Sequence, residues 1–247
     1  MKKLMFAAAV AAAGLAFGIE SANTVGYTTT TAREGYTLFV PAFDNIGSEG
    51  LDIQKIKPNV ESRGVNIQTF AADADMDTMY YYVPDGKHAN GAGWYTRPNG
   101  AATSYATKTF AKGEGFMAYF PTANITFNVS GEVSLTAKTL ENVRSGYTLM
   151  GNFRPVNFSI QKIVPATNAR GVNLQTFAAD ADMDTMYYYV PDGKHENGAG
   201  WYTRPNGAAT SYADKVFSSG EGFMIYLPDA MNVTFQSAET TTPAAGE

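Results

Sequence analysis

From Asn124 to Ser130 apolar and polar residues alternate without a break. Ile125, Phe127 and Val129 fall on one side, and Thr126, Asn128 and Ser130 on the other. A period of two is the mark of a β-strand with one dry face. Val133, Leu135 and Ala137 keep the same period and predict a further strand beginning there. Strands are also predicted at Ser21 to Ala32, from Gly35, at Val65 to Phe70, Thr78 to Val83, Trp94 to Thr96 and Lys108 to Ala111. The first of these is rich in threonine and is expected at a sheet edge. Pro84-Asp85-Gly86, Asn90-Gly91 and Pro98-Asn99-Gly100 are turn signals between them. In the run from Thr78, Tyr81 is expected to join Met79 and Val83 on the core side, with Tyr80 and Tyr82 on the other face. Ile53-Gln54-Lys55-Ile56 reads as a single helical turn stopped by Pro58.

The pattern occurs twice. Gly64 to Ala106 returns as Gly171 to Ala213, 107 positions later, and the two blocks differ only at Ile67/Leu174 and Ala89/Glu196. Gly35-Tyr36-Thr37-Leu38 returns as Gly146-Tyr147-Thr148-Leu149, 111 positions on. The first copy therefore has four extra residues, which fall between Val40 and Asp52 in a polar, glycine-containing piece suited to a surface loop. Gly113-Glu114-Gly115-Phe116 returns as Gly220-Glu221-Gly222-Phe223 and predicts a bend feeding a core strand. A period near 107 exceeds that of solenoid units and matches a small β domain. The expectation is an all-β chain: two tandem copies of a small antiparallel β-sandwich or barrel-like domain, at 19–133 and 134–238. Residues 239–247 read as a flexible tail.

Composition adds an address. Lys2 and Lys3 precede an apolar, alanine-rich run from Leu4 to Phe17, and small residues follow at Ala16 and Gly18. Residues 1–18 thus have the layout of a secretory signal peptide and are shorter than a membrane span. The chain is expected to be secreted, periplasmic or at the cell surface. Loss of Lys2 and Lys3 would take the formal charge from −5 to −7, and the remaining basic residues are scattered. That distribution argues against nucleic acid as a partner. With no cysteine, the fold must rest on its apolar core, and thiolate chemistry is excluded.

Ala22-Asn23-Thr24-Val25-Gly26-Tyr27 follows the signal, and Gly113-Glu114-Gly115-Phe116 closes the first repeat before its last strand. In these words the chain resembles a group of secreted, β-rich bacterial proteins. The resemblance implies a secreted β protein of a Gram-negative bacterium; no activity or functional residue comes with it.

Two constellations are candidates for chemistry. Asp73, Asp75 and Asp77 recur as Asp180, Asp182 and Asp184. Alternate carboxylates suit calcium, but Thr78 and Pro84 stand where an EF-hand needs glycine and glutamate. A solvated turn is the competing account. Trp94, Tyr95 and Arg97, with Lys87 and His88 nearby, recur as Trp201, Tyr202 and Arg204. Flat aromatics beside polar groups suit a sugar ring, and the competing account is core packing.

The sequence carries no nucleophile elbow, zinc-protease helix or phosphate loop. No catalytic residue is assigned, and the chain is expected not to be an enzyme. The favoured expectation is a non-catalytic structural or interaction protein of the envelope or extracellular matrix, associating with itself or with other envelope proteins. A bivalent module for glycans or calcium is the alternative, and a hydrolase acting on polysaccharide the third.

Overall fold

A computed structural model describes residues 25–70, 76–97, 102, 104–177, 183–204 and 211–238. Among the described residues the first half of the chain forms ten strands: β1 (Val25–Ala32), β2 (Gly35–Phe39), β3 (Leu51–Asp52), β4 (Ile56–Pro58), β5 (Asn66–Phe70), β6 (Met76–Val83), β7 (Gly93–Tyr95), β8 (Thr109–Phe110), β9 (Phe116–Phe120) and β10 (Ile125–Glu132). Ten more follow: β11 (Lys138–Val143), β12 (Gly146–Gly151), β13 (Phe158–Ser159), β14 (Ile163–Pro165), β15 (Asn173–Phe177), β16 (Met183–Val190), β17 (Gly200–Tyr202), β18 (Val216–Phe217), β19 (Gly222–Leu227) and β20 (Met231–Phe235). No helix among them is long and apolar enough to cross a membrane.

The pairing is antiparallel and occurs twice. The first half has sheets ordered β2-β9-β5-β6-β7, β1-β10-β4 and β3-β8, and the second has β12-β19-β15-β16-β17, β11-β20-β14 and β13-β18. None of these sheets closes into a barrel, so the sandwich is the form the fold takes. As the alternation requires, Ile125, Phe127 and Val129 of β10 point inward. The Phe127 ring meets Phe39 at 5.3 Å and Phe120 edge-on at 5.8 Å, which locks the three-stranded sheet onto the five-stranded one. The second half has its own interior, built from Phe158, Leu174, Trp201, Phe223 and Phe235 among others.

Three expectations about detail change. Tyr80 and Tyr82, not Tyr81, face the core. Tyr82 lies directly opposite Trp94 in the β6–β7 pair, and opposed residues share a face, so the buried indole fixes which tyrosines turn inward. The predicted helical turn is a 3-10 turn, Ile53–Lys55, capped by Asp52; the chain leaves it as strand β4, which ends at Pro58. The strand expected from Val133 starts later, at Lys138.

The two halves meet at the outer edges of β2 and β12. Val40 N donates to Gly220 O at 3.0 Å, and Gly115 N donates to Leu149 O at 3.0 Å. A β-bridge joins Phe39 to Glu221. A Cβ on Gly222 would lie 2.8 Å from Leu38 Cβ, and one on Gly115 would lie 2.9 Å from Leu149 Cγ. Each Gly-Glu-Gly-Phe word thus brings its second glycine against the leucine of the other half. Reciprocal contact of this kind is the property of a twofold interface. The turns that set up the approach pivot on Gly113 and Gly220, at φ +81° and +74°.

Candidate functional site

The duplicated block supplies the polar and aromatic side chains singled out by sequence. Trp94 and Tyr95 lie on β7, and Trp201 and Tyr202 on β17; all four are 0% exposed. The Trp94 indole Nε1 donates to Ile56 O at 2.7 Å, and Trp201 Nε1 to Ile163 O at 2.7 Å. The indoles are therefore bolts between β7 or β17 and the strand after the 3-10 turn. They offer no face to a sugar ring, and the aromatic-platform reading of Trp94, Tyr95, Trp201 and Tyr202 is corrected to packing. Arg97 and Arg204, just beyond these strands, are exposed.

Sequence reasoning missed the residue that organises this arrangement. Gln54 Nε2 donates to Trp94 O at 3.1 Å and Ala106 O at 2.9 Å, while its Oε1 accepts from Trp94 N at 3.0 Å. Gln161 makes the same three bonds with Trp201 and Ala213. One side-chain amide thereby ties together backbone groups of two chain segments that share one direct bond of their own, Ala106 N to Trp94 O at 2.8 Å. The signal was present: Ile-Gln-Lys-Ile is among the few words repeated outside the block.

Above β7 the loop 84–92 is clamped from several sides. Tyr95 Oη donates to Gly91 O at 3.0 Å, Tyr105 Oη donates to Asn90 O, and Arg63 Nη2 donates to Lys87 O at 2.6 Å. His88 lies against Tyr95 with ring centres 4.4 Å apart and planes tilted by 44°, and its Nδ1 accepts from Asn90 N at 3.0 Å. His195, Tyr202, Tyr212 and Arg170 repeat the arrangement. Burial, and then the neighbouring Tyr105, push the Tyr95 phenol up to about 12; burial and Tyr212 do the same to Tyr202. The histidine is held as a turn-capping acceptor against an aromatic ring.

No family model, no curated protein and no solved structure matches the chain.

Of the six aspartates proposed for calcium, Asp73, Asp75, Asp180 and Asp182 lie outside the described residues. Asp77 and Asp184 are exposed, and each accepts from a threonine hydroxyl, Thr69 or Thr176, at 3.5 Å. Among the described residues no three His, Asp or Glu side chains converge.

The first repeat carries an exposed apolar surface at its edge strand. Val25 and Tyr27 of β1 are 56% and 79% exposed, and Ile46 of the inserted loop is 58% exposed. All three line a groove over the outer face of β1 and β10. β1 pairs only with β10, so its other edge carries no partner strand among the described residues. The equivalent edge strand β11 is interrupted by a bulge between Leu140 and Val143, and it begins with Lys138, which pairs with Phe235 as Thr30 of β1 pairs with Phe127.

Proposed function

We propose that the chain is a secreted or cell-surface, non-catalytic structural protein of the envelope or extracellular matrix that joins to a second copy of itself through β1. The observation that carries this reading is the contrast between β1 and the other sheet edges. β1 is eight residues long, uncharged and apolar at Val25 and Tyr27. β11 is shortened by its bulge and charged; β7 and β17 are three residues long; β4 and β14 end in proline. Bulges, charge, proline and brevity are the devices that keep strand edges from pairing. Among the described residues β1 lacks them all; β2 and β12 lack them too, but their edges meet the other repeat.

A single open edge favours a closed pair over a fibre. A filament needs two complementary surfaces on each subunit, whereas two β1 strands can pair antiparallel about a twofold axis. The interior supports a structural role as well. The repeated Trp, Tyr, Gln and His side chains are spent on holding loops and strands in place.

The test is the mass of the mature protein by sedimentation at tens of micromolar. A dimer is expected. Tyr27→Lys, which places a charge on the open edge, should give a monomer with an unchanged melting temperature. A monomeric parent protein, or a dimer indifferent to Tyr27→Lys and Thr29→Pro, would overturn the reading.

A further inference from the structure

Beyond β1 pairing, the junction of the two repeats holds a pair of related clefts, and they are not equally complete. The first, of about 330 Å³, is lined by Arg33, Thr37 and Leu38 from one half and by Phe177, Ser219 and Glu221 from the other. The second, of about 310 Å³, is lined by the counterparts Arg144, Thr148, Leu149, Phe70, Lys112 and Glu114. The reciprocal seating of the repeats creates both.

The second cleft satisfies its own polar groups. Arg144 Nε donates to Thr148 Oγ1 at 3.2 Å, and Lys112 is ion-paired with Asp44. Asp44 belongs to the segment where the first repeat has its four extra residues, and the second repeat carries Ser219 in place of Lys112. In the first cleft the Thr37 and Ser219 hydroxyls are both buried and have no hydrogen-bond partner in the protein. Buried hydroxyls are rarely left so, because each has given up its water for nothing.

We infer that this first cleft is a binding site for a small organic carboxylate. Thr37 and Ser219, whose buried hydroxyls have no protein partner, line the same cleft as Arg33, which itself donates to Tyr36 O at 3.5 Å, and together they make a donor set suited to a carboxylate. Glu221 is the one acidic wall, and its charge is already met: Lys215 Nζ lies 2.6 Å from Oε1, and Ser218 N donates to Oε2 at 2.8 Å. Leu38, Phe39 and Phe177 supply an apolar wall for the body of the acid. The volume lies at the lower end of the range for small-molecule sites.

The experiment is an amide-resolved NMR titration of the full mature protein with glucuronate, benzoate and, as the neutral arm, glucose. Saturable shifts at Thr37 and at Gly220 to Gly222 are expected with at least one of the acids, at a dissociation constant near or below about 1 mM, and none with glucose. Thr37→Val with Ser219→Ala should weaken that binding by at least about tenfold, while raising the melting temperature of the free protein by removing two unpaired hydroxyls. Thr148→Val, in the other cleft, should leave binding unchanged. Absence of saturation with both acids, equal binding of glucose, or an affinity unmoved by the double variant would each overturn the assignment. So would a crystal structure of the soaked protein with only water between Thr37 and Ser219.

Discussion

Val40 and Gly151 occupy the same place in the two repeats, 111 positions apart, and they face each other: a Cβ built on Gly151 would lie 2.6 Å from Val40 Cγ2. Positions related by a twofold axis must share the space on that axis, and here one side chain fills it for both. Val40 accordingly packs with the interior of the second repeat rather than the first.

Gly151→Ala is therefore expected to destabilise the protein by about 1–3 kcal/mol, the usual cost of overpacking. Val40→Gly in the same chain should recover only part of the loss. The new methyl would still meet Glu221 O, 2.3 Å from the built Cβ. Urea midpoints of the single and double variants measure both effects. Equal stability of Gly151→Ala and the parent would show that the halves do not meet as described.

Gln54→Ala removes three hydrogen bonds at once and leaves Trp94 N and Ala106 O without their side-chain partner, while Trp94 O keeps its bond from Ala106 N at 2.8 Å. A buried group left unsatisfied costs about 1–3 kcal/mol, so a loss above about 2 kcal/mol is expected. Gln161→Ala should match it within error, because its three contacts are the same. A large inequality between the two in chemical denaturation would break the equivalence of the repeats.

Both tryptophans are fully buried. Native emission should be well to the blue of that of the unfolded chain and resistant to acrylamide, and neutral sugars should leave it unmoved. Ready quenching in the folded state would contradict the placement of Trp94 and Trp201.

The Tyr95 and Tyr202 phenols titrate near 12 in the fold, against an ordinary value near 10. Burial, with neighbouring Asp85 and Asp192, moves Tyr82 and Tyr189 in the same direction. A folded pKa above the unfolded one gives stability that is complete below pH 10 and is lost as pH rises through about 12. Melting temperature should fall steeply across that window. Tyr95→Phe with Tyr202→Phe should flatten the fall, and a slope indifferent to the pair would rule out their part in it.

The parts of the fold legible in the sequence were those governed by local rules. Ile125, Phe127 and Val129 announced a dry face, Gly113 a bend, and, within the described residues, Val25 to Ala32 an edge strand. A period of two yields two faces but does not say which is inward. For Tyr80, Tyr81 and Tyr82 that choice depends on Trp94, a dozen residues away in another strand. Gln54 sits among Ile53 and Lys55 like any surface residue, and its partners lie 40 and 52 positions further on. Arg154 was equally silent. It is fully buried, donating to Thr136 O at 2.9 Å and Phe235 O at 3.2 Å, with its guanidinium over Phe158 at 4.4 Å. Burial pulls its pKa down to about 10. A charged side chain in a loop signals solvent until the chain folds an aromatic floor beneath it.

The seating of Gly115 on Leu149 and of Gly222 on Leu38 has a consequence for how the chain can be cut. Each half completes the other's border, as two identical subunits would, so the molecule has the form of a homodimer fused end to end. Severing the few residues between Glu132 and Lys138 should leave two fragments that remain associated, and separately expressed fragments should find each other.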